Sequence, residues 1–321
     1  MRCRVRSFAG VLLPLSILAA LLWMPAEAAK GARSGLSVCA GVIVPSLFPF
    51  LLVSAMLRAQ GIPEALARIS GPLLKVFGLP PAAAAPFLLG LCGGYPVGAN
   101  AVAELVRAGD LTPEEGACLL PVCNNTGPGF IVGVAGSAVF GSVRAGLLLY
   151  LCHILAALTL ALLSGRRRPP HSSSPAKAPA PAGLGAFPSC VSSSARTTLD
   201  ICGYVVFFSM LTAILTALGV FSALAGALAR SLHTELRLVN AMLTGLLELG
   251  SGVAALRGVS VSPAGLAVAA FLLGFGGLSV HAQTLYAVSG TKIGCARHFA
   301  GRILHGLLSA VYVLLLTHLQ I

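Results

Sequence analysis

The chain reads LLGLCGGYPVGA over residues 88–99 and PVCNNTGPGF over residues 121–130. Both are apolar runs of helical length that glycine, proline and small polar residues interrupt at mid-course. Such a break frees backbone N–H and C=O groups, which are costly to leave unpaired in hydrocarbon. Broken helices therefore occur where protein buries them or where they line a cavity, and in transporters they often form the substrate site. The sequence predicts a second pair of breaks near Glu248 and Ser279.

The composition indicates the class of protein. Hydrophobic residues make up 57% of the chain and charged residues 9%, against about 25% charged in soluble domains. Several apolar runs reach about 18 residues, which is enough to cross a bilayer. We therefore predict an all-α, polytopic helical membrane protein. The net charge of +12 comes from scattered basic residues that mostly flank apolar runs and set orientation, so we expect no nucleic-acid partner.

The chain carries no pattern typical of a metal site or an enzyme. Its nine cysteines lie mostly inside apolar runs, without a C-x-x-C pair or a His/Cys cluster at zinc spacing. G-x-S-x-G, H-E-x-x-H and nucleotide-binding motifs are missing from the sequence. We expect no disulfide framework, no metal, no cofactor and no catalytic residue. An intramembrane enzyme using Ser279 and His281 is the weakest of the alternatives.

Four segments follow from the hydropathy pattern. Residues 1–30 form an N-terminal transmembrane helix after three early arginines, with a cleaved signal peptide as the alternative. Residues 31–165 form a first repeat, which includes an interfacial helix at residues 62–77. Residues 166–196 are a flexible Pro/Ala/Ser-rich linker, placed in the cytoplasm by Arg166, Arg167 and Arg168. Residues 197–321 form a second repeat.

An internal repeat relates the two halves. LLGL at residues 88–91 recurs as LTGL at 243–246, and GSVR at 141–144 recurs as GCAR at 294–297, with an offset of 153–155 residues. The first terminal span ends at the basic cluster after residue 163, whereas the second begins beside Lys292, Arg297 and Arg302. The positive-inside rule therefore predicts that the two spans run in opposite directions, as in the inverted-topology repeats of transporters.

Candidate substrate-binding residues lie at the breaks. Their small, neutral hydrogen-bonding groups and helix ends suit an anion without a metal, and they comprise Gly93, Gly94, Tyr95, Pro96, Asn124, Asn125, Thr126, Gly127, Ser279, His281 and Gln283. Close packing of helices is the favoured explanation for Gly90 and Gly98. The histidines at 153 and 305 are interpreted as packed residues of the spans.

Three charged residues complete the candidate site. Glu248 lies within an apolar run, where a carboxylate marks an ion or substrate pathway. It is predicted to carry a coupling proton or to pair with an arginine at 257 or 297. Arg144 and Arg297 are candidate charge partners for the solute, with snorkelling to the interface as the alternative.

These motifs resemble a known family. GGYPVGA at residues 93–99, NNTGPGFIVG at 124–133, GGLSVHAQ at 276–283 and PSLFPF at 45–50 are similar to the YlbJ-type sporulation integral membrane proteins. That group lies within the nucleoside-recognition (Gate) domain family. The resemblance covers residues 36–164 and 197–316. It implies a role in endospore formation, moving dipicolinic acid across the outer forespore membrane from the mother cell.

The favoured function is transport of a small anionic solute by a multi-pass protein of the cell membrane, with dipicolinic acid as the solute that the resemblance implies. The lipid bilayer and the solute are the expected partners, with other sporulation membrane proteins beside them. A transporter of nucleosides or related solutes is one alternative. A sporulation scaffold that transports nothing is the other, and it would need neither Glu248 nor the polar breaks.

Overall fold

The computed structural model describes residues 2–62, 65, 76–77, 81–165 and 183–319. Within these ranges the chain forms helices and turns and contains no strand, which confirms the predicted all-α class. Most of the predicted interfacial helix at residues 62–77, the three arginines at 166–168 and the linker up to residue 182 lie outside the described residues.

The elements of the first half, in chain order, are α1 (Arg2–Trp23), α2 (Pro25–Val38), a π-helical turn (Cys39–Ile43), α3 (Val44–Ala59), α4 (Ala84–Gly93), α5 (Val97–Ala108), α6 (Pro113–Cys123), a π-helical segment (Gly129–Val139) and α7 (Val143–Gly165). This half begins with the helix α1. A long helix follows, which consists of α2, the π-helical turn and α3. The α1–α2 junction lies at Met24, so residues 25–30 continue into the long helix rather than into α1.

The second half repeats this order. It contains α8 (Phe187–Ala217), α9 (Val220–Leu232), α10 (Leu236–Leu247), α11 (Leu249–Ala255), α12 (Pro263–Phe275), α13 (Gly277–Ala287) and α14 (Ala296–His318). Each half therefore has a long helix, two broken helices and a terminal span. The first breaks follow Gly93 and Leu247, and the second follow Cys123 and Phe275. All four predicted interruptions are present.

Four helical segments have the length and apolar composition of membrane spans among the described residues: Val143–Ser164, Phe187–Ala217, Pro263–Ala287 and Ala296–His318. α14 shows how such a span is built. Ile303, Leu307, Val311 and Leu314 are exposed on its outside, where hydrocarbon rather than water is the natural surrounding. Its buried face is polar, which is the reverse of a helix in a soluble protein.

The linker is shorter than the sequence predicts, because α8 begins at Phe187. Residues 187–196 are helical, and their buried positions continue as Cys190, Ser194, Thr198 and Ile201 along one face. Hydroxyl groups in this stretch donate to carbonyls three or four residues earlier, as Thr197 does to Ser193 at 3.0 Å. The serine-rich composition concealed this helical periodicity, since serine is typical of linkers.

Candidate functional site

The two breaks of the first half cross at a backbone contact. A Cβ atom on Gly94, where φ is +77°, would lie 2.8 Å from the amide nitrogen of Gly127. Near this crossing, a Cβ atom on either Gly90 or Gly98 would overlap the carbonyl group of Cys123. The Cys123 carbonyl at the end of α6 is thus held between α4 and α5. The prediction that Gly90 and Gly98 serve close packing is confirmed.

The second half forms an equivalent crossing. A Cβ atom on Gly277, where φ is +73°, would lie 2.6 Å from the Gly245 carbonyl oxygen and 3.1 Å from the Leu249 amide nitrogen. The break between α10 and α11 consists of Glu248 in an extended conformation. Its carboxylate accepts hydrogen bonds from the Gly250 amide at 2.9 Å and the Ser251 amide at 2.5 Å. The side chain therefore caps α11, where the helix end favours negative charge.

Hydrogen bonds join the two crossings. The Leu273 carbonyl, in the last turn of α12, accepts from the Thr126 hydroxyl at 2.7 Å and from the Tyr95 hydroxyl at 3.3 Å. The Asn124 amide donates to the Thr284 hydroxyl at 2.8 Å. The break after α12 leaves the Leu273 carbonyl without a partner inside its helix, and side chains from the breaks of the first half supply the hydrogen bonds. All four breaks meet in the centre of the described fold.

A small cavity lies at this meeting point. Its volume is about 60 Å³, which accommodates only a few water molecules. Apolar side chains from the long helices α2–α3 and α8 close one wall. The breaks supply the rest of the lining: Gly94, Tyr95, Thr126, Gly127, Phe130, Glu248, Leu249, Gly250, Ser279, Val280 and Gln283. The Ser279 hydroxyl is buried and has no hydrogen-bond partner.

Arg302 lies behind Tyr95 and is completely buried. Its guanidinium donates to the Tyr95 hydroxyl, to His305 Nδ1 at 3.0 Å and, more weakly, to Asn125 Oδ1 at 3.5 Å. The Nε atom of Arg302 has no partner. The ion pairs of the described chain are Lys30–Glu27 and Arg58–Glu104, so no carboxylate neutralises this guanidinium there. A buried charge without a counter-ion is expensive and marks a functional position in a membrane protein.

Four buried histidines accompany Arg302. His153 and His305 stack with ring centroids 4.3 Å apart, and His305 Nε2 donates to the His153 carbonyl at 3.2 Å. The Thr126 amide donates to His153 Nε2 at 3.2 Å, which ties this pair to the second break. His281 and His298 share a hydrogen bond of 3.3 Å. The outer nitrogens of this second pair, His281 Nε2 and His298 Nδ1, have no partner.

The predicted residues are distributed around this centre. Those that line the cavity are Gly94, Tyr95, Thr126, Gly127, Glu248, Ser279 and Gln283. Asn124, Asn125 and His281 are buried beside it, Gly93 packs against Val97, and Pro96 faces a separate cleft.

Arg144 and Arg297, the two predicted charge partners of the solute, do not line the cavity. Arg144 is exposed at the start of α7. Arg297 is exposed and donates to the Cys118 sulfur at 2.7 Å. Glu248 forms no ion pair with Arg257 or Arg297 in the described part of the chain.

Arg302 was assigned to the cytoplasmic flank of the last span, whereas the structure buries it. The sequence did contain a signal for this position. His298, Arg302, His305 and Ser309 recur at helical spacing and form one polar stripe within an apolar span. All four are buried on the inner face of α14.

This fold and site define a polytopic α-helical membrane protein with broken helices around a small cavity, whose largely apolar lining carries a few polar groups. Residues 40–164 match the model of the Gate family, which is described as nucleoside recognition. The chain is also similar to the sporulation integral membrane protein YlbJ of Bacillus subtilis (strain 168). The two are 28% identical over 331 aligned residues, covering 94% of this chain and 80% of YlbJ. Both findings confirm the resemblance inferred from the motifs. No solved structure matches the chain.

Proposed function

We propose that this protein transports a small anionic solute across a membrane, and that the solute is dipicolinate, moved across the outer forespore membrane during endospore formation. The observation that carries the proposal is the convergence of four helix breaks on one cavity, beside a buried arginine that has no carboxylate partner among the described residues. Broken helices at a repeat interface are the usual substrate site of secondary transporters. The similarity to YlbJ supports the connection to sporulation and to other sporulation membrane proteins.

The lining of the cavity suits a carboxylate. The Ser279 hydroxyl and the Gln283 amide provide neutral hydrogen-bond donors, and the Tyr95 hydroxyl becomes a third when it leaves the Leu273 carbonyl. The Arg302 guanidinium polarises the Tyr95 hydroxyl from behind and contributes a fixed positive charge. These groups replace the hydration of an anion without requiring a metal.

Glu248 gives the site a means of coupling. Its carboxylate faces the same cavity as Tyr95 and would repel an anion when ionised. Protonation of Glu248 removes this repulsion, so that a proton and the anion bind together. No nucleotide-binding motif is present in the sequence, and an ion or solute gradient supplies the energy.

The cavity must widen during transport. Its volume of about 60 Å³ falls below the range of about 300–1,000 Å³ typical of small-molecule sites. In this proposal the structure corresponds to a conformation in which the site is too small to hold the solute. Movement of one half against the other around the central breaks opens the site, as in other proteins with internal repeats.

A nucleoside is the second candidate solute. The match to the nucleoside-recognition model covers residues 40–164 and thus both breaks of the first half. The hydroxyl of Ser279 and the amide of Gln283 also suit the hydroxyls of a ribose. A buried arginine without a counter-ion favours the anion over this neutral solute.

Uptake by proteoliposomes tests the proposal. Purified protein is reconstituted, and uptake of labelled dipicolinate is compared with uptake of uridine and of isophthalate, an aromatic dicarboxylate that lacks the ring nitrogen. Asn125→Ala and Glu248→Gln variants are measured in parallel. We expect saturable dipicolinate uptake that is reduced in both variants. Uridine uptake alone would identify the second candidate, and no uptake by folded protein would favour a scaffold.

A further inference from the structure

A second cleft, which Pro96 and Gln283 help to line, lies next to the central cavity. Its volume is about 460 Å³, within the range of about 300–1,000 Å³ that small-molecule sites occupy. The first turns of α8 form one wall, and α5 and α13 form the other. The lining is rich in polar side chains: Asn100, Ser189, Ser192, Ser193, Arg196, Thr197, Asp200, Tyr204, Gln283 and Tyr286.

The cleft and the cavity are adjacent and have lining residues in common. Gln283 and Ile201 line both spaces. The first helix break contributes one residue to each space: Tyr95 lines the cavity, and the next residue, Pro96, lines the cleft. The Gln283 and Ile201 side chains and the backbone of the first break therefore lie between a solute in the cleft and the cavity.

The cleft opens at the end of the molecule that we assign to the cytoplasm. Ala287 lines the cleft and packs in the same hydrophobic cluster as Leu160 and Ala161, near the end of α7. α7 leads directly into the arginines at residues 166–168, which belong inside by the positive-inside rule. The same end of the fold carries Arg107, whose guanidinium donates to the Ala287 carbonyl at 2.8 Å.

The chemistry of the cleft fits a planar carboxylate. Arg196 is exposed and takes part in no ion pair in the described structure, so its guanidinium is available to a carboxylate as a two-pronged donor. Tyr204 and Tyr286 lie with ring centroids 6.5 Å apart and offer aromatic surface to a ring. Asp200 follows Arg196 by one turn and supplies a negative charge that limits the affinity.

We infer that this cleft is the cytoplasmic capture site of the transporter, where Arg196 and the two tyrosines bind a small aromatic dicarboxylate before it passes Gln283 into the central cavity. The inference rests on the proposed transport of an anion and adds a second binding site to it. A capture site raises the local concentration of the solute next to the closed cavity. It affects the solute concentration needed for half-maximal transport more than the maximal rate.

Cysteine protection tests binding in the cleft without relying on transport. Ser193→Cys places a thiol on the exposed lining of the cleft, and Ser222→Cys places one on the exposed surface of α9 as a matched control. The rate of labelling by a membrane-impermeant maleimide is measured above the wild-type background, with and without dipicolinate. We expect dipicolinate to slow labelling at position 193 and not at 222, and Arg196→Ala to abolish the protection.

Uptake kinetics give the second readout. Arg196→Ala should raise the KM for dipicolinate by at least about tenfold, the loss expected for one charge-assisted hydrogen bond, while the maximal rate is retained. Asp200→Asn should lower the KM, and Arg230→Ala, which removes an exposed arginine from α9, should change neither constant.

The outcomes separate the two proposals. Transport without protection at position 193, or an unchanged KM in Arg196→Ala, overturns the capture site and leaves the transporter intact. Protection that requires Arg196 in a protein without uptake supports the binding site and overturns transport. The absence of both overturns both.

Discussion

The guanidinium of Arg302 in α14 donates a hydrogen bond to the hydroxyl of Tyr95 in the first break. Its Cζ atom also lies 5.2 Å from the centroid of the Tyr95 ring. This pair ties the terminal span of one half to the broken helix of the other. Tyr95 lines the cavity and Arg302 is buried behind it, so that the tyrosine hydroxyl is the contact between this arginine and the lining of the cavity.

Arg302→Gln separates a functional role of this arginine from a structural one. The substitution removes a buried charge that has no counter-ion in the described structure, so the desolvation penalty disappears with it. We expect the thermal midpoint in detergent to stay constant or rise, while dipicolinate uptake falls at least about tenfold. A large drop in the midpoint, with uptake proportional to the folded fraction, would instead show that Arg302 serves stability.

Two buried serines provide a matched pair. Ser279 and Ser309 are each about 1% exposed, and neither hydroxyl has a hydrogen-bond partner. Only Ser279 lines the cavity. Replacing an unsatisfied hydroxyl by hydrogen leaves stability unchanged or improves it, so both Ser→Ala variants should keep their midpoint.

Ser279→Ala alone should raise the KM for dipicolinate, by roughly tenfold if the hydroxyl donates to a carboxylate. The measurement is uptake over a range of solute concentrations, with Ser309→Ala as control. An equal effect of the two substitutions on KM would argue against a solute contact at Ser279.

Glu248→Gln tests proton coupling. Glutamine keeps the size of the side chain and one acceptor for the amides of Gly250 and Ser251. The loss of the second acceptor should lower the free energy of unfolding by about 1 kcal/mol. In the wild type we expect an imposed pH gradient to drive dipicolinate accumulation. The variant should lose this response, whereas Glu114→Gln, at an exposed position in the first turn of α6, should keep it. A full response in Glu248→Gln would exclude the carboxylate as the coupling group.

The sequence predicted the breaks well, because glycine, proline and asparagine interrupt apolar helices for local reasons. Capping is local too: Thr112 and Glu115, three residues apart, exchange hydrogen bonds at the first turn of α6 and form a capping box. Glu248 was singled out by its cost in an apolar run, and the structure buries it at the cavity.

The contacts between the halves could not be predicted in the same way. The Leu273 carbonyl bonds to Tyr95 and Thr126, which are far away in sequence, and only the packing of complete helices brings them together. Arg302 was read as a flanking charge because it lies near the start of its span. Its burial depends on the polar stripe of α14 facing the breaks, which a positive-inside argument does not consider.

Gly98→Ala tests the close approach of the broken helices. An added methyl group would overlap the Cys123 carbonyl, and overpacking of this kind costs about 1–3 kcal/mol or more. We expect a lower thermal midpoint and less folded protein on size-exclusion chromatography. Gly133→Ala is the matched control, because a Cβ atom there meets nothing within 4 Å. Equal stability of the two variants would contradict the packing described for α4, α5 and α6.

The inverted orientation of the halves is tested by labelling equivalent turns. The turn after α5 and the turn after α11 occupy the same place in each half. Ala108, the last residue of α5, and Ser260, between α11 and α12, are both exposed. An inverted repeat puts these turns on opposite sides of the membrane. We therefore expect an impermeant maleimide to label Ala108→Cys only from the cytoplasmic side and Ser260→Cys only from the other side. Labelling of both from one side would mean that the halves are parallel, and a single rocking movement around the central breaks would then no longer expose the cavity to each compartment in turn.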